Sequence, residues 1–371
     1  MPGAAPPGRL SFLGAPGHGG RRLCGTHQGF HREVSQEVRV ALITAQSLKG
    51  SVVTAKSRIK LWSIGGGKGG VGKSIVTLGL GICLAELGKK VILIDGDLGG
   101  ANLHTLMGVR FPPTTLEDFL LRRVSRLEDI IVETQVEGIG LICGADDILG
   151  SANPTYAQKM RLMQQIENLD ADFILLDLGA GTSFNTLDMF NASPGKIVVF
   201  TNQVTSLQNA YGFIKSSLYR RLCRVFAKDE DLLWLIYQVG DKGAESGMQS
   251  IRDLENRVAQ ALPEKWPRLQ QALDDYQAFL LINMVKKSQD LKAIDIIQTV
   301  CGDFLNVQPQ VLGALAFDPG VETAVNQMTP FPIYMKKGRA SAAIREIARS
   351  FLITCRISRG FAASLAAAGL G

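Results

Sequence analysis

Long apolar segments are missing from this sequence, and so are closely spaced cysteines. No stretch of eighteen uncharged apolar residues occurs, so the sequence predicts no transmembrane helix. The six cysteines are scattered without a C-x-x-C pair, which argues against a zinc or iron–sulfur scaffold. Cys83 and Cys143 lie in apolar runs and are interpreted as core thiols. This cysteine usage suits a reducing cytosol.

Acidic residues are scarce at the start of the chain. Residues 1–60 carry nine Lys and Arg against two Glu, a net charge of +7. The whole chain carries +6, so the remainder is close to neutral at −1. A basic folded region would favour nucleic acid as a partner. The near-neutral remainder gives no such support, and nucleic acid is not an expected partner.

Residues 1–57 differ in composition from the rest, being rich in Pro, Gly and Arg with little apolar periodicity. We interpret them as a disordered or mis-annotated N-terminal extension. An organellar transit peptide is the alternative. It is disfavoured because Pro and Gly would break the amphipathic helix that a transit peptide needs.

After this extension, short apolar runs alternate with helical patterns. This rhythm predicts an α/β fold, a doubly wound and mostly parallel sheet of about seven to eight strands flanked by helices. The predicted strands are Ile59–Ile64, Lys90–Ile94, Gly140–Cys143, Phe173–Leu176, Ile197–Phe200, Phe279–Ile282 and Val311–Phe317. The predicted helices are Ser74–Leu87, Tyr156–Asn168, Thr205–Leu218, Met248–Ala261, Arg268–Tyr276, Asp290–Cys301 and Ala340–Leu352.

One charged segment, residues 222–276, separates two strands that need only a short crossover. We expect a helical insertion at the sheet edge, which could serve as a lid or partner surface. We favour a second interpretation over this use, in which these are extra helices packed on one face of the sheet.

The run from Gly67 to Ser74 fits the phosphate-loop pattern G-x-x-x-x-G-K-[ST]. Backbone N–H groups of such a loop converge on phosphate oxygens, in a conformation that requires glycine, and the following helix presents its positive end. Lys73 is expected to reach the β- and γ-phosphates, and the Ser74 hydroxyl to ligate Mg²⁺. The predicted ATP-binding residues here are Gly67, Lys68, Gly69, Gly70, Val71, Gly72, Lys73, Ser74 and Ile75.

Carboxylates follow two further apolar strands. Asp95 and Asp97 end the run VILIDGD, and Asp177 ends the run DFILLD. Because ligands of open parallel sheets bind beyond the carboxyl ends of the strands, these side chains should lie near the phosphates. Asp177 is interpreted as the Walker B carboxylate, and Gly179 and Gly181 would let the backbone shift with the γ-phosphate.

The loop contains another lysine, Lys68, in addition to Lys73, and the position of Lys68 resembles that in a known family. The run from Lys68 to Ser74 reads KGGVGKS, which resembles the K-G-G-x-G-K-[ST] loop of the MinD/ParA ATPases. The resemblance covers residues 59–352 and implies that Lys68 crosses a dimer interface to the partner's phosphates. It further implies that Asp95 supports the magnesium shell and that Asp97 orients water. The predicted catalytic residues are thus Lys68, Lys73, Asp97 and Asp177, and the predicted metal site is Ser74, Asp95 and Asp177.

Base recognition is expected from two strand ends. Asn283 resembles the asparagine that this family offers to adenine, and Phe317-Asp318 resembles the loop that closes over the base. Both also fit ordinary turns at strand ends.

Within the family, the sequence is most similar to the FlhG (YlxH) branch. The supporting stretches are residues 97–103, 177–181 and 205–215. Gln203-Val204 stands where the family commonly has Pro-Glu, the 222–276 insertion is larger than usual, and no amino-terminal GTPase-stimulating segment is recognisable.

The resemblance implies an ATP-hydrolysing spatial regulator that acts as an ATP-dependent sandwich dimer, in flagellar placement and number or in septum-site positioning. A ParA-type DNA or cargo partitioning ATPase is the alternative. A metal-cluster carrier is disfavoured because this chain lacks the cysteine pair that such a carrier needs. A non-hydrolysing scaffold is disfavoured because it would not need Lys73, Asp97 and Asp177.

The expected partners are a second copy of the chain and a protein, either a flagellar GTPase or a cell-division or positioning factor. The expected location is the cytoplasm, or a peripheral position at the inner face of the cell membrane. Residues 353–371 form a C-terminal tail, interpreted either as a weak amphipathic helix or as a simple closing helix. The ATPase domain is then predicted to span residues 58–352.

Overall fold

The computed structural model describes residues 60–144, 154–240 and 250–367. The N-terminal extension predicted for residues 1–57 therefore lies outside the described residues.

Eight strands form one sheet in the order β3-β4-β2-β5-β1-β6-β7-β8. All neighbouring strands are parallel except β3 and β4, which pair antiparallel. The predicted fold class is thereby confirmed, and each of the seven predicted strands is present. The strands are β1 Leu61–Gly65, β2 Val91–Gly96, β3 Ile131–Glu133, β4 Ile139–Ile142, β5 Phe173–Leu178, β6 Gly195–Phe200, β7 Phe279–Val285 and β8 Gln310–Ala316.

Helices cover both faces of the sheet. They are α1 Lys73–Glu86, α2 Leu103–Leu106, α3 Leu116–Leu120, α4 Tyr156–Asn168, α5 Phe184–Ala192, α6 Val204–Val225, α7 Glu230–Gly240, α8 Ile251–Ala261, α9 Trp266–Asp274, α10 Lys292–Leu305, α11 Gly320–Asn326, α12 Phe331–Tyr334 and α13 Arg339–Ala367. Short 3-10 turns cover Leu127–Ile130 and Ser288–Leu291.

The central strands are buried on both faces, which explains their uninterrupted apolar runs. On one face α1 and α13 pack together, and Trp62 of β1 lies edge-on to Phe351 at 4.5 Å between ring centroids. On the other face α5 and α6 meet β1, where Phe190 and Phe213 form a second edge-on pair. The phosphate loop leaves the sheet between these two cores.

The charged segment after α6 differs from the expected edge insertion. It joins β6 to β7, which are neighbours inside the sheet, and its helices α7, α8 and α9 pack outside α6 and α10 on one face. Leu235, Leu254 and Leu269 are buried in the same core as α6. The insertion is thus an extra helical layer on one face, the second of the two interpretations.

Helix α13 continues without interruption through the boundary predicted at residue 352. Ile347, Phe351 and Cys355 are buried against the sheet. Of the helices in the three described ranges, none combines the length and apolarity that crossing a membrane requires.

Candidate functional site

The loop between β1 and α1 has the conformation that its glycines predict. Gly70 and Gly72 have φ of 76° and 88°, in the left-handed region that favours glycine. A Cβ on Gly72 would lie 2.2 Å from Asn283 Nδ2, and one on Gly67 would lie 2.1 Å from the Asn209 carbonyl oxygen. A Cβ on Gly69 would meet no neighbouring atom within 4 Å. The loop is therefore anchored at both ends and open in the middle, where a phosphate chain would lie.

Three side chains of the first turns of α1 converge on Asp177 at the end of β5. Lys73 is only 8% exposed, and its charge partly offsets the rise that burial causes in the pKa of the Asp177 carboxyl. Ser74 hydrogen-bonds to this carboxyl, and the Thr77 hydroxyl donates to its Oδ1 at 3.1 Å. Hydroxyl and carboxylate oxygens are the ligands that Mg²⁺ prefers, so Ser74 and Asp177 fit a magnesium ion.

Two buried carboxylates face each other at the end of neighbouring strands. Asp95 and Asp177 are paired in register between β2 and β5 and are 1% and 2% exposed. Burial raises the pKa of Asp95 to about 7, and the nearby Asp177 adds to the shift. Burial also raises the pKa of Asp177 to about 6. Two clustered, desolvated acids of this kind suit a site that receives a cation.

Asp95 is already bonded to the segment that follows β2. Its Oδ2 accepts from the backbone N–H groups of Asn102 and Leu103 at 2.8 and 2.9 Å, and its Oδ1 accepts from that of Asp97 at 3.2 Å. Asp95 thus ties the 97–103 loop to the strand end, and its support of a magnesium shell stays a prediction.

Asp97 lies over the loop that follows β5. A Cβ on Gly179 would lie 2.9 Å from Asp97 Oδ1, so a larger residue there would displace the Asp97 carboxylate from this position. Beyond it, the Gly181 N–H donates to the Gly66 carbonyl at 3.2 Å, and Gly181 has φ of 90°. The loops after β1, β2 and β5 therefore contact one another. Such contacts would let all three loops respond to the same phosphate group.

Lys68 contacts α6 of its own chain. Its Nζ donates to Thr205 Oγ1 at 2.9 Å and to Gln203 Oε1 at 3.4 Å. Gln203 is the residue that departs from the usual Pro-Glu of the family. The expected role of Lys68 across a dimer interface stays a prediction.

Asn283 lies beneath the loop. Its Nδ2 donates to the Val71 carbonyl at 2.8 Å and its Oδ1 accepts from the Met284 N–H at 2.8 Å. The carboxamide is 5% exposed and supports the loop from the end of β7. The Asn283 amide already forms two hydrogen bonds within the protein, so its predicted contact with adenine would be in addition to them.

Phe317 and Asp318 follow β8, beside β7. The Phe317 ring is 41% exposed, and Lys286 Nζ lies 4.8 Å from its centroid. Asp318 accepts backbone N–H bonds from Gly320 at 3.1 Å and Ala340 at 3.3 Å, so its carboxylate fixes the starts of α11 and α13. The exposed ring is the better candidate for a base contact.

Thr77 is a site residue that was not predicted from the sequence; its hydroxyl donates to Asp177 from one turn after Lys73. The spacing of four residues was the available signal, because it places both side chains on one face of the helix.

A profile of the ParA family, described as NUBPL iron-transfer P-loop NTPase, matches residues 58–216. The chain is 30% identical over 205 residues to the uncharacterized ATP-binding protein MJ0547 of Methanocaldococcus jannaschii, a match that covers 54% of this chain and 73% of that protein. The chain belongs to the MinD/ParA family of P-loop NTPases.

Two further relatives of this MinD/ParA chain are bacterial. It is 30% identical to the antiactivator FleN of Pseudomonas aeruginosa over 42% of this chain and 56% of FleN. It is 32% identical to the flagellum site-determining protein YlxH of Helicobacter pylori over 49% of this chain and 58% of YlxH. These matches confirm the resemblance to the FlhG (YlxH) branch, although the chain spans just over half the length of both proteins.

Among solved structures, the septum site-determining protein MinD of Pyrococcus horikoshii, complexed with Mg-ADP, shares the fold. The TM-score is 0.52 at 21% identity, and the match covers 81% of this chain and 98% of MinD.

Proposed function

We propose that this chain binds and hydrolyses ATP with Mg²⁺ as an ATP-dependent sandwich dimer and acts as a spatial regulator. The observation that supports this most is the convergence of Lys73, Ser74 and Asp177 behind an open glycine loop that carries a second lysine, Lys68.

Each residue of the loop then has a role with ATP. The N–H groups of residues 67–75 and the ammonium of Lys73 hold the phosphate oxygens. Ser74 and Asp177 would hold Mg²⁺, which would supply positive charge beside the phosphates. Asp97 lies beside Gly179 and orients the attacking water, while Asp95 keeps the 97–103 loop in place.

Lys68 acts on the second copy of the chain in this proposal. Its ammonium leaves Gln203 and Thr205 and neutralises charge on the phosphates bound by the partner, as an arginine finger does in other phosphate-loop enzymes. The contacts that it gives up are solvent-exposed hydrogen bonds to neutral groups, each with a net contribution of about 0.5–1.5 kcal/mol.

The biological role is proposed from the relatives. An antiactivator, a flagellum site-determining protein and a septum site-determining protein all share this family. We place this chain in flagellar number or placement, or in septum-site positioning, with a protein partner such as a flagellar GTPase or a cell-division factor. The proposed location is the cytoplasm, with reversible attachment to the inner face of the membrane.

ParA-type partitioning of DNA or cargo is the second candidate. The near-neutral net charge of residues 61–371 gives no support to the basic face that DNA binding needs. A cluster carrier is less suited still, because the sequence has no C-x-x-C pair and four of the five described cysteines are buried: Cys83, Cys143, Cys301 and Cys355.

An ATPase assay with liposomes, with DNA and with neither tests these alternatives. Stimulation by liposomes supports the spatial regulator, and stimulation by DNA supports partitioning. The Lys73→Ala variant is the control and must be inactive in all three. If the wild type shows no hydrolysis above this control, the proposed enzyme activity is wrong.

A further inference from the structure

A groove lies at the amino-terminal ends of β2 and β4, at the opposite end of the sheet from the nucleotide site. It encloses about 520 Å³, and we call it the basal groove. Its walls include Val91, Ile131, Val136 and Ile139. β3 is the outermost strand of the sheet and supplies part of one wall. Aliphatic walls beside an outer strand form a surface that an extended chain can occupy.

The rim of the basal groove is acidic. Glu128, Glu133, Glu137 and Asp170 line it against one cation, Lys90. Asp170 is paired with Lys90 at 2.6 Å, and Glu128 with Arg126. Within the described parts of the chain, Glu133 and Glu137 are exposed and form no ion pair. The basal groove therefore has aliphatic walls and a rim of net negative charge. This combination fits a ligand that is both basic and aliphatic.

The chain enters the described structure beside this groove. Lys60 Nζ donates to the Leu169 carbonyl at 2.9 Å, and the Lys60 carbonyl accepts from the Ile174 N–H at 2.6 Å. Leu169 and its neighbour Asp170 belong to the groove wall. Two strand spacings, about 10 Å, separate β1 from β2. Because an extended residue spans about 3.3–3.6 Å, three or four residues before Lys60 suffice to reach the rim.

The sequence before Lys60 has the matching chemistry. Residues 38–59 contain Arg39, Lys49, Lys56 and Arg58 and no Asp or Glu, and eight of these 22 residues are Val, Ile or Thr. We propose that a stretch within residues 38–59 occupies the basal groove of its own chain, with aliphatic side chains on its walls and cations against Glu133 and Glu137. A second copy of the chain and a separate basic protein are the other occupants that a test must distinguish.

Carbodiimide cross-linking of the full chain tests this proposal, because the reagent joins only amines and carboxylates in contact. Mass spectrometry should find Lys49 or Lys56 joined to Glu133 or Glu137. Mixing isotopically labelled and unlabelled protein separates links within one chain from links between two. The reference acids are Glu264 and Asp303, which are exposed and lie elsewhere on the fold.

The paired variant Glu133→Lys/Glu137→Lys should lose these links. Hydrogen exchange of the β3 amides should become at least about fivefold faster, since the docked segment no longer covers the strand. The matched control Glu264→Lys/Asp303→Lys should leave the cross-links to Glu133 and Glu137 and the hydrogen exchange of the β3 amides unchanged. Links spread evenly over the reference acids, links only between chains, or β3 exchange that is insensitive to the reversal would each overturn the proposal.

Discussion

Lys73 is the side chain on which affinity for ATP should depend most. It lies at the first position of α1 and is nearly buried beside Asp177. Lys73→Ala removes charge-assisted hydrogen bonds of about 1.5–3 kcal/mol each, so ATP should bind at least about tenfold more weakly. Calorimetric titration with ATP measures this, with the exposed Lys292→Ala as control. Unchanged affinity would refute the loop assignment.

Asp97 should matter for hydrolysis and not for binding. Its carboxylate lies against Gly179 rather than among Lys73, Ser74 and Asp177. Asp97→Ala should therefore retain ATP affinity, lose hydrolysis and accumulate as an ATP-bound dimer. Rapid turnover by this variant, measured by phosphate release, would assign the orientation of water to another group.

Lys196 is a buried cation outside the nucleotide site. It is 4% exposed, and its Nζ donates to the Ser193 carbonyl at 2.6 Å. Burial lowers the pKa of Lys196 to about 7, with Arg221 adding to the shift. Between about pH 7 and 10.5 the unfolded state therefore binds more protons, so the free energy of unfolding should rise with pH in this window.

Lys196→Met should remove this rise, so its stability relative to wild type should be greatest below pH 7 and fall towards pH 10. Urea denaturation at several pH values measures the difference, with the exposed Lys292→Met as control. A difference that does not vary with pH would show that Lys196 keeps its proton in the folded protein.

At this scale the sequence predicted Lys73, Ser74 and Asp177 because their spacing carries their chemistry. It could not predict that Asn283 bonds the Val71 carbonyl, or that Asp318 bonds the starts of two helices. The Asn283–Val71 and Asp318–Ala340 contacts join residues far apart in the chain, and only the packed fold brings them together.

At the scale of elements, the phosphate loop and the start of α6 are joined by Lys68. If Lys68 acts across a dimer, Lys68→Ala should bind ATP but remain monomeric and inactive. Light scattering with ATP and phosphate release measure the two effects, and Lys89→Ala is a control at a distant loop. Wild-type turnover by Lys68→Ala would remove the proposed role across the dimer.

The buried parallel strands could be predicted because each is an apolar run between turn residues. β3 could not, since two of its three residues are only partly buried and the third, Glu133, is exposed. Packing of α7–α9 on one face of the sheet was one of the two interpretations, but the helices that they contact could not be predicted. Their amphipathic patterns indicate that one side is buried but not that α6 and α10 would cover it.

At the scale of the whole molecule, the nucleotide site and the basal groove lie at opposite ends of the sheet. The carboxyl ends of β1, β2 and β5 carry the lysines and acids of the ATP site, and their amino ends lie near the groove. The two proposals can therefore fail independently. Substitutions at Glu133 and Glu137 should leave ATP affinity unchanged, whereas Lys73→Ala should leave the cross-links of the groove intact.

The central claim is that two chains complete one another's ATP site through Lys68. The most direct test is the ATP turnover rate per chain, measured over a wide range of protein concentration. The account predicts that turnover per chain rises with concentration and levels off as light scattering reports a dimer. A turnover rate that is the same for monomer and dimer would contradict it.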